Sequence, residues 1–508
     1  MAKDQIKSGA LLSYVNIILT TFSGLLFTPF LLRHLGQSEY GLYMLIGSIV
    51  GYIAIMDLGL HNTMYRFISK YQSEENDKKQ ENFLATIFLI YGLISLLVLL
   101  IGTLLVMNLD LFFAHSLTDA EFSKAKIMAA ILVFNLMLSL PLGAFHFIAN
   151  GYGRFVVVNV IGIVRICLRI GVLITLLLMG YKSIAIVIID TILNIGIGVV
   201  YAIYCFNHLK IKIRLYKFDM EFIKEIMNYS FFIFITAIVN QLFWRIGQVT
   251  LGIYSSTVAV ALYALSLTLV IYYQQLSLAI SNVFMPKVSH LVSEGASGEV
   301  LTSLMIQIGR IQFVILGIVL SGFIVTGQSF IEFWAGEEYG EVYWITLLIF
   351  IPVTVPMFQT LGGVILQVKS MHRFEAKAYL VMALLNIPLS IWLGMLYGPM
   401  GIGISTAVSI IIFQIGVINW YYQYKIGINV PRFFRETLKG ILPTVIVTVL
   451  LGQLVNSMGW EGWLALLLKM VFVAVTYIVL LSFIGLNSSE RAIFSGYRVI
   501  VRKRFKYL

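Results

Sequence analysis

Charge is what this sequence is short of. Of its 508 residues only 12% are Asp, Glu, Lys or Arg, while 59% are hydrophobic. Soluble domains carry about a quarter charged residues. The mean hydropathy is +0.93. So little charge excludes a soluble enzyme and a disordered chain. Cysteine is nearly absent too. Cys167 and Cys205 are the only two, which excludes a disulfide scaffold and a cysteine-built metal site. Both fall in apolar stretches and read as core residues. There is no phosphate-cradling GxxxxGK[ST] loop, no HExxH, no GxSxG and no Cys-His nucleophile pattern. The expectation is therefore no catalysis and no cofactor. Energy for any work would come from a gradient, from the substrate or from a partner.

What is present is apolar length. Windows long enough to cross a bilayer as a helix of about 20 residues recur fourteen times. The first are at 10–32 and 40–65, one in the middle is at 228–251, and the last four are at 377–397, 399–422, 440–457 and 463–484. The reading is an all-α polytopic membrane protein. Lys3, Asp4 and Lys7 precede the first run, which is too long for a signal sequence and reads as an uncleaved first helix. Gly180 and Gly398-Pro399 sit where the tightest hairpins turn.

The net charge of +11 would suggest nucleic acid in a soluble chain. Here it follows the positive-inside rule, and no nucleic-acid partner is expected. With an even number of spans and both termini inside, most Lys and Arg fall in inside segments. Only Arg33, Lys124, Lys126 and Lys182 fall outside. This places a multi-pass protein in the cell membrane with both termini cytoplasmic. The connections are short, which counts against a glycan polymerase with a large outer loop.

A faint repeat is visible. Gly41-Leu42-Tyr43 and Ala261-Leu262-Tyr263 stand at nearly the same offset as Gly153-Arg154-Phe155 and His372-Arg373-Phe374. The spacing implies an N-terminal six-helix bundle (1–205), a basic linker (206–225) and a C-terminal six-helix bundle (226–422). Two added helices (423–486) and a basic tail (487–508) follow. Six helices per half makes the repeats parallel, about an axis along the membrane normal.

A charge near the bilayer centre costs at least ~2.5–3.5 kcal/mol on insertion scales, so each one needs a reason. Arg165 and Arg169 lie roughly 13 and 20 Å into one helix and share a face. Asp190 on the next helix falls near the depth of Arg169, so an ion pair holding that hairpin is one reading. Asp57 falls near the depth of Arg165 and could pair with it. Both arginines then mark a polar cavity. Arg245 shares a helical face with Gln241 and Gln248. That stripe faces a cavity or glues helices together. Lys469 reads as snorkelling to the outer surface, and His61 and His146 as interfacial.

Leu35-Gly36, Glu39-Tyr40-Gly41-Leu42-Tyr43, Asp57-Leu58-Gly59-Leu60 and Arg66 together resemble the opening of the polysaccharide-transporter, or O-antigen flippase, family. That family lies in the superfamily of multidrug extrusion transporters and the lipid II flippase. The resemblance implies a flippase that moves an undecaprenyl-pyrophosphate-linked oligosaccharide from the inner to the outer leaflet by alternating access, for surface polysaccharide synthesis. It implies a cationic cavity, for which Arg165, Arg169 and Arg245 with Gln241 and Gln248 are the candidates, since arginine can grip a pyrophosphate bidentately. Asp57 and Asp190 become candidate coupling or gating groups for H+ or Na+, with no metal site. One chain suffices for transport, so a monomer among membrane lipids is expected, with glycan assembly proteins as possible associates. The alternatives are a cation-coupled multidrug or metabolite exporter and a lipid II flippase on the same fold. The first span has no charge before Arg33. That departs from the basic early helices of lipid II flippases and from the acidic first span of drug exporters.

Overall fold

The computed structural model describes residues 2–114, 116–218, 220–369, 371–487 and 490–491. Most of the basic tail expected at 487–508 lies outside the described residues. Among those described, the regular structure is helical and no strand occurs. The helices are α1 (Ala2–Ile53), α2 (Leu60–Ser73), α3 (Asp77–Met107), the one-turn α4 (Asp110–Phe113), α5 (Asp119–Gly151), α6 (Phe155–Leu178), α7 (Ser183–Asn207) and α8 (Met220–Tyr254). There follow α9 (Thr257–Ser293), α10 (Gly298–Trp334), α11 (Glu341–Phe358), α12 (Thr360–Val368) and α13 (His372–Ser409). The chain ends with α14 (Ile418–Tyr421), α15 (Val430–Leu438), α16 (Ile441–Asn456) and α17 (Trp463–Leu480).

By length and apolarity, ten of the described helical segments can cross a membrane, or eleven if the bent pair α15–α16 is one span. The sequence windows number fourteen. Part of the difference has a physical cause. Leu11–Asp57 and Arg373–Ile426 run 47 and 54 residues, more than twice the ~20 needed for one crossing. Each is interrupted at a left-handed glycine, Gly36 (φ 75°) and Gly398 (φ 57°). Only glycine adopts that backbone without strain, so each long helix holds two windows joined at a kink. The window at 228–251 lies within α8, which is not among the ten.

The chain divides into two compact units, 1–264 with 387–402, and 265–386 with 403–508. In the first unit, α3 shows how a membrane helix is built. Leu89, Leu93, Leu96, Leu100 and Leu104 stay exposed along one face. Ile87, Tyr91, Ile94, Val98 and Gly102 are buried along the other. The helix is apolar all round because one face meets lipid and the other meets protein. The buried face packs on α2 and α5 through Leu60, Met64, Ile68, Ala144 and Ile148.

At the end of this unit that carries the C-terminus of α3, a polar clasp ties the helices. Thr118 and Glu121 form a reciprocal cap on α5, the pattern that satisfies two orphan N–H groups at once. Glu121 also accepts from Ser38 (2.6 Å) and Thr257 (2.7 Å). Buried Glu39 accepts from Lys124 (2.5 Å) and Ser183 (2.5 Å). Beside it, a Cβ on Gly41 would stand 1.7 Å from the Thr257 carbonyl oxygen, so only glycine fits that crossing.

In the second unit α10 is the hub, packed by Leu304, Ile308, Phe313 and Phe358 among others. Its Arg310 spends every N–H. Nε and Nη2 donate to Glu490 (2.6 and 2.9 Å), Nη1 to the Glu436 and Lys439 carbonyls, and Nη2 also to the Gly485 carbonyl. This clamps α15 and the segment after α17 onto α10.

Candidate functional site

A cavity of about 840 Å³ opens within the first unit among α1, α5, α6 and α7. Its wall sets polar side chains into a mainly apolar lining. Asn16, Asn150, Asn159 and Asn194 line it with Ser13, Ser139, His146 and Tyr201, and Phe147 and Phe155 add rings. Among the described residues lining it, Arg165 is the one permanently charged side chain. Phe155, Gly162 and Arg165 come from the first half of α6, spaced to return to one side of the helix, and Asn159 flanks them. Asn194 comes from α7 opposite.

Arg165 meets no carboxylate among the described residues. Its Nη2 donates to Asn194 Oδ1 (2.5 Å), and the Asn194 amide in turn donates to Asn135 Oδ1 (3.4 Å). Asn159 donates to the Gly9 and Phe155 carbonyls, and Asn150 meets His146 Nε2 at 3.0 Å. A guanidinium held by one neutral amide keeps most of its donors for an incoming acceptor. Amides, hydroxyls and rings around it suit a sugar; the cation suits a phosphate.

Arg169, one turn further along α6, has another fate. It grips Asp190 with two bonds, Nε to Oδ1 at 2.5 Å and Nη2 to Oδ2 at 2.9 Å. Tyr43 adds its hydroxyl to Asp190 at 3.5 Å. The hairpin ion pair read from depth is present, and neither partner lines the cavity. Asp57 does not pair with Arg165. It accepts from Tyr91 (3.0 Å) and meets His61 Nδ1 at 2.7 Å. The reason is local. Asp57 ends a short 3₁₀ turn, and left-handed Leu58 and Gly59 start α2 so that His61 turns back onto it. His61, read as interfacial, is thus an internal partner, stacked on Phe147.

The stripe on α8 lies against α1 rather than on the cavity wall. The Gln241 amide nitrogen packs over Gly51. Gln248 is buried with its Oε1 unpaired. Arg245 has the Tyr52 and Tyr43 phenols as its electrostatic neighbours, and no carboxylate pairs with it among the described residues. Arg165, Arg169, Arg245, Gln241 and Gln248 are therefore not gathered in one pocket within this unit.

Two smaller expectations change. Lys469 does not snorkel into water: it is buried, and its amine donates to Asn456 (2.8 Å) and the Trp460 carbonyl (2.9 Å), holding the turn between α16 and α17. Cys205 is a core residue, but Cys167 is exposed, on the part of α6 that also exposes Val164 and Leu168. Sequence reasoning read Asn16, in a stripe with Thr20 and Ser23, as packing glue and missed Asn150, Asn159 and Asn194. Their signal was available in Asn16, Asn159 and Asn194, uncharged amides inside apolar windows, each costly in lipid without a partner.

Residues 6–292 match the family described as "Polysaccharide biosynthesis protein". Among curated proteins none matches the chain. The chain is similar to the lipid II flippase MurJ in its inward closed conformation, at 16% identity over 94% of this chain and 98% of that one, with a TM-score of 0.72. It is similar to the MATE multidrug transporter DinF-BH, at 15% identity over 85% and 96%, TM-score 0.57. It is also similar to a MOP superfamily transporter from Pyrococcus furiosus, whose binding pocket is described as reversed in polarity. That match has 13% identity over 84% and 97%, TM-score 0.56. At such identities these likenesses establish a shared fold.

Proposed function

The chain belongs to the polysaccharide biosynthesis protein family, and from that premise we propose that it is a flippase for a lipid-linked oligosaccharide. The substrate is an undecaprenyl-pyrophosphate-linked glycan, moved from the inner to the outer leaflet of the cell membrane by alternating access. The observation that carries the reading is Arg165, a cation without a carboxylate partner among the described residues, set with amides and hydroxyls in a cavity of about 840 Å³. That volume lies within the ~300–1,000 Å³ range of small-ligand pockets. It suits the pyrophosphate and first sugars rather than a finished polymer. The prenyl tail stays in lipid while the head crosses.

The other assignments rest on the same reading. Arg245 with Gln241 and Gln248 is a second contact for the anionic head, met during the transport cycle. Arg169 positions α6 through Asp190. Asp57 and Asp190 couple transport to H+ or Na+ or gate it. Two six-helix halves, 1–205 and 226–422, are the elements that alternate, with the linker, the last two helices and the tail outside the repeat. The packing of Gly41 against Thr257 and Ala261 supports a repeat, because it sets the two matching segments side by side. Both termini lie in the cytoplasm, and a monomer among membrane lipids does the work, associating with glycan assembly proteins. A lipid II flippase would use the same cation for the same pyrophosphate. A cationic-drug exporter is disfavoured by the sign of the charge in the cavity.

The test is leaflet-to-leaflet movement of a fluorescent undecaprenyl-pyrophosphate oligosaccharide in liposomes holding the purified chain. Movement that is lost in Arg165→Gln protein of unchanged melting temperature supports the reading. Failure of any lipid-linked glycan to move, with expulsion of a cationic dye down an ion gradient, replaces it with the exporter.

A further inference from the structure

A second concave site lies in the first unit, away from the cavity just described. It has a volume of about 630 Å³ and is formed by the end of α2, the start of α3, the linker before α8 and the start of α8 itself. Lys70, Lys78, Lys79 and Lys217 line it, and Glu74 is the one acid among the described lining residues. Lys70 reaches over the Phe67 and Tyr71 rings, 6.0 Å from each centroid. Lys78 and Lys79 occupy the first turn of α3, where the Asn76 side chain caps the Lys79 N–H (3.1 Å). Like charges so close repel one another and gain most from a shared anion.

The linker that closes this pocket is built to lie on a membrane surface. Asn82 Oδ1 accepts the backbone N–H groups of Tyr216 and Lys217 (2.8 and 3.0 Å), and the Tyr216 hydroxyl donates to Glu81 (2.6 Å). Pinned this way, the segment leaves Leu215, Tyr216, Phe218 and Met220 about half to two-thirds exposed. Apolar and aromatic side chains interleaved with Lys212, Arg214 and Lys217 match the composition of an interface. Depth agrees. Leu89, exposed on the apolar face of α3, lies ten residues beyond Lys79, or about 15 Å of helix. The lysines therefore sit where headgroups lie when the leucines meet acyl chains.

We propose that this pocket binds the phosphate of an anionic lipid headgroup. The lysines supply charge, and the exposed linker residues rest among the acyl chains beside it. An aqueous anion would gain nothing from that apolar rim, so the ligand carries a tail. The proposal does not depend on transport. It holds for a resident anionic phospholipid and for a lipid-linked pyrophosphate alike, which share this chemistry.

Native mass spectrometry of the full detergent-solubilised chain tests it, with phosphatidylglycerol, phosphatidylcholine and undecaprenyl pyrophosphate as separate probes. The variants are Lys70→Gln/Lys78→Gln/Lys79→Gln and a control, Lys287→Gln/Lys377→Gln/Lys425→Gln, which removes three exposed lysines of the other unit. The expected result is a drop of about tenfold or more in phosphatidylglycerol retention for the first variant only. The loss should shrink as salt rises, and the zwitterionic lipid should be unaffected. Parallel loss of undecaprenyl pyrophosphate extends the site to the lipid-linked substrate. Loss of that probe alone supports the site and assigns it to substrate. Equal losses in both variants, or retention of both anionic probes by the first, overturn the proposal. The milder Lys78→Gln/Lys79→Gln protein gives the same reading if the triple variant fails to fold.

Discussion

Arg165 and Arg169 stand one turn apart on α6, and their surroundings give them opposite work. Arg169 meets a carboxylate at its own depth and closes on it with two bonds. Arg165 meets an amide and lines a cavity. Arg310 in the second unit extends the series, with all its donors spent on one carboxylate and three carbonyls. The lesson is that a charge in the membrane reports function in inverse proportion to its satisfaction. The better the partners, the more the arginine is part of the scaffold.

That ordering can be broken by experiment, and Arg310→Ala is the strongest blow. Arg310 is 4% exposed, and its loss strands Glu490 and three carbonyls. Breaking such a buried pair costs about 3–5 kcal/mol. The melting temperature in detergent should fall more than in any other arginine variant of this series, and transport should fall only with the amount of folded protein. A normal melting temperature would sink the ordering at its upper end.

Arg169→Ala comes next. Side-chain exposures of 35% for Arg169 and 21% for Asp190 call for a discount on the buried-pair figure, to about 2 kcal/mol. The sharper measurement is the double variant Arg169→Met/Asp190→Leu. It removes both charges and should recover most of the melting temperature. If it recovers transport as well, the pair is scaffold; if stability returns and transport does not, Asp190 keeps its coupling or gating role.

Arg165→Gln inverts the pattern. With a neutral amide as its partner, its removal should cost about 0.5 kcal/mol or less, as for substitutions away from buried networks. Transport of the lipid-linked glycan should fall about tenfold or more, since a charge-assisted bond to phosphate is worth about 1.5–3 kcal/mol. Arg165→Lys should recover part of it, because an ammonium supplies charge without the bidentate fork. Equal loss in both variants would show that geometry, not charge, is what the site uses.

How much of this was legible in the sequence depended on whether a signal was local or shared among helices. The membrane class was legible, because apolar length is written in one run at a time. Arg169–Asp190 was legible because two rare charges on adjacent antiparallel helices have depths that can be counted. Arg165–Asn194 was not, since an asparagine carries no charge to mark its depth. The cavity was hidden for a related reason: its asparagines come from α1, α5, α6 and α7 and meet only in the fold. Asp57 was misread because counting depth assumes a continuous helix, and the turn at Leu58-Gly59 redirects it. The fourteen windows were counted singly, while Gly36 and Gly398 join two pairs into continuous helical runs. The motif around Glu39 and Gly41 carried the resemblance, and its residues make the clasp and a tight crossing rather than the cavity.

Asp57 offers the finest distinction. Its Oδ1 meets the Tyr91 hydroxyl and His61 Nδ1. His61 Nε2 faces the Leu140 carbonyl at 3.2 Å. The Asp57–His61 contact spans the turn that joins α1 to α2, and the His61 ring stacks on Phe147 in the cavity wall. His146 and Arg165 are the other basic groups on that side. Asp57→Asn keeps the shape and the bond to His61 and should cost about 1 kcal/mol. What it removes is the carboxylate's charge and its capacity to take up a proton. If Asp57 couples transport to H+, the variant should still exchange labelled substrate between leaflets but should no longer accelerate when a proton gradient is imposed. Acceleration equal to that of the unaltered protein would leave Asp57 as a hinge residue, and would move the search for coupling to Asp190.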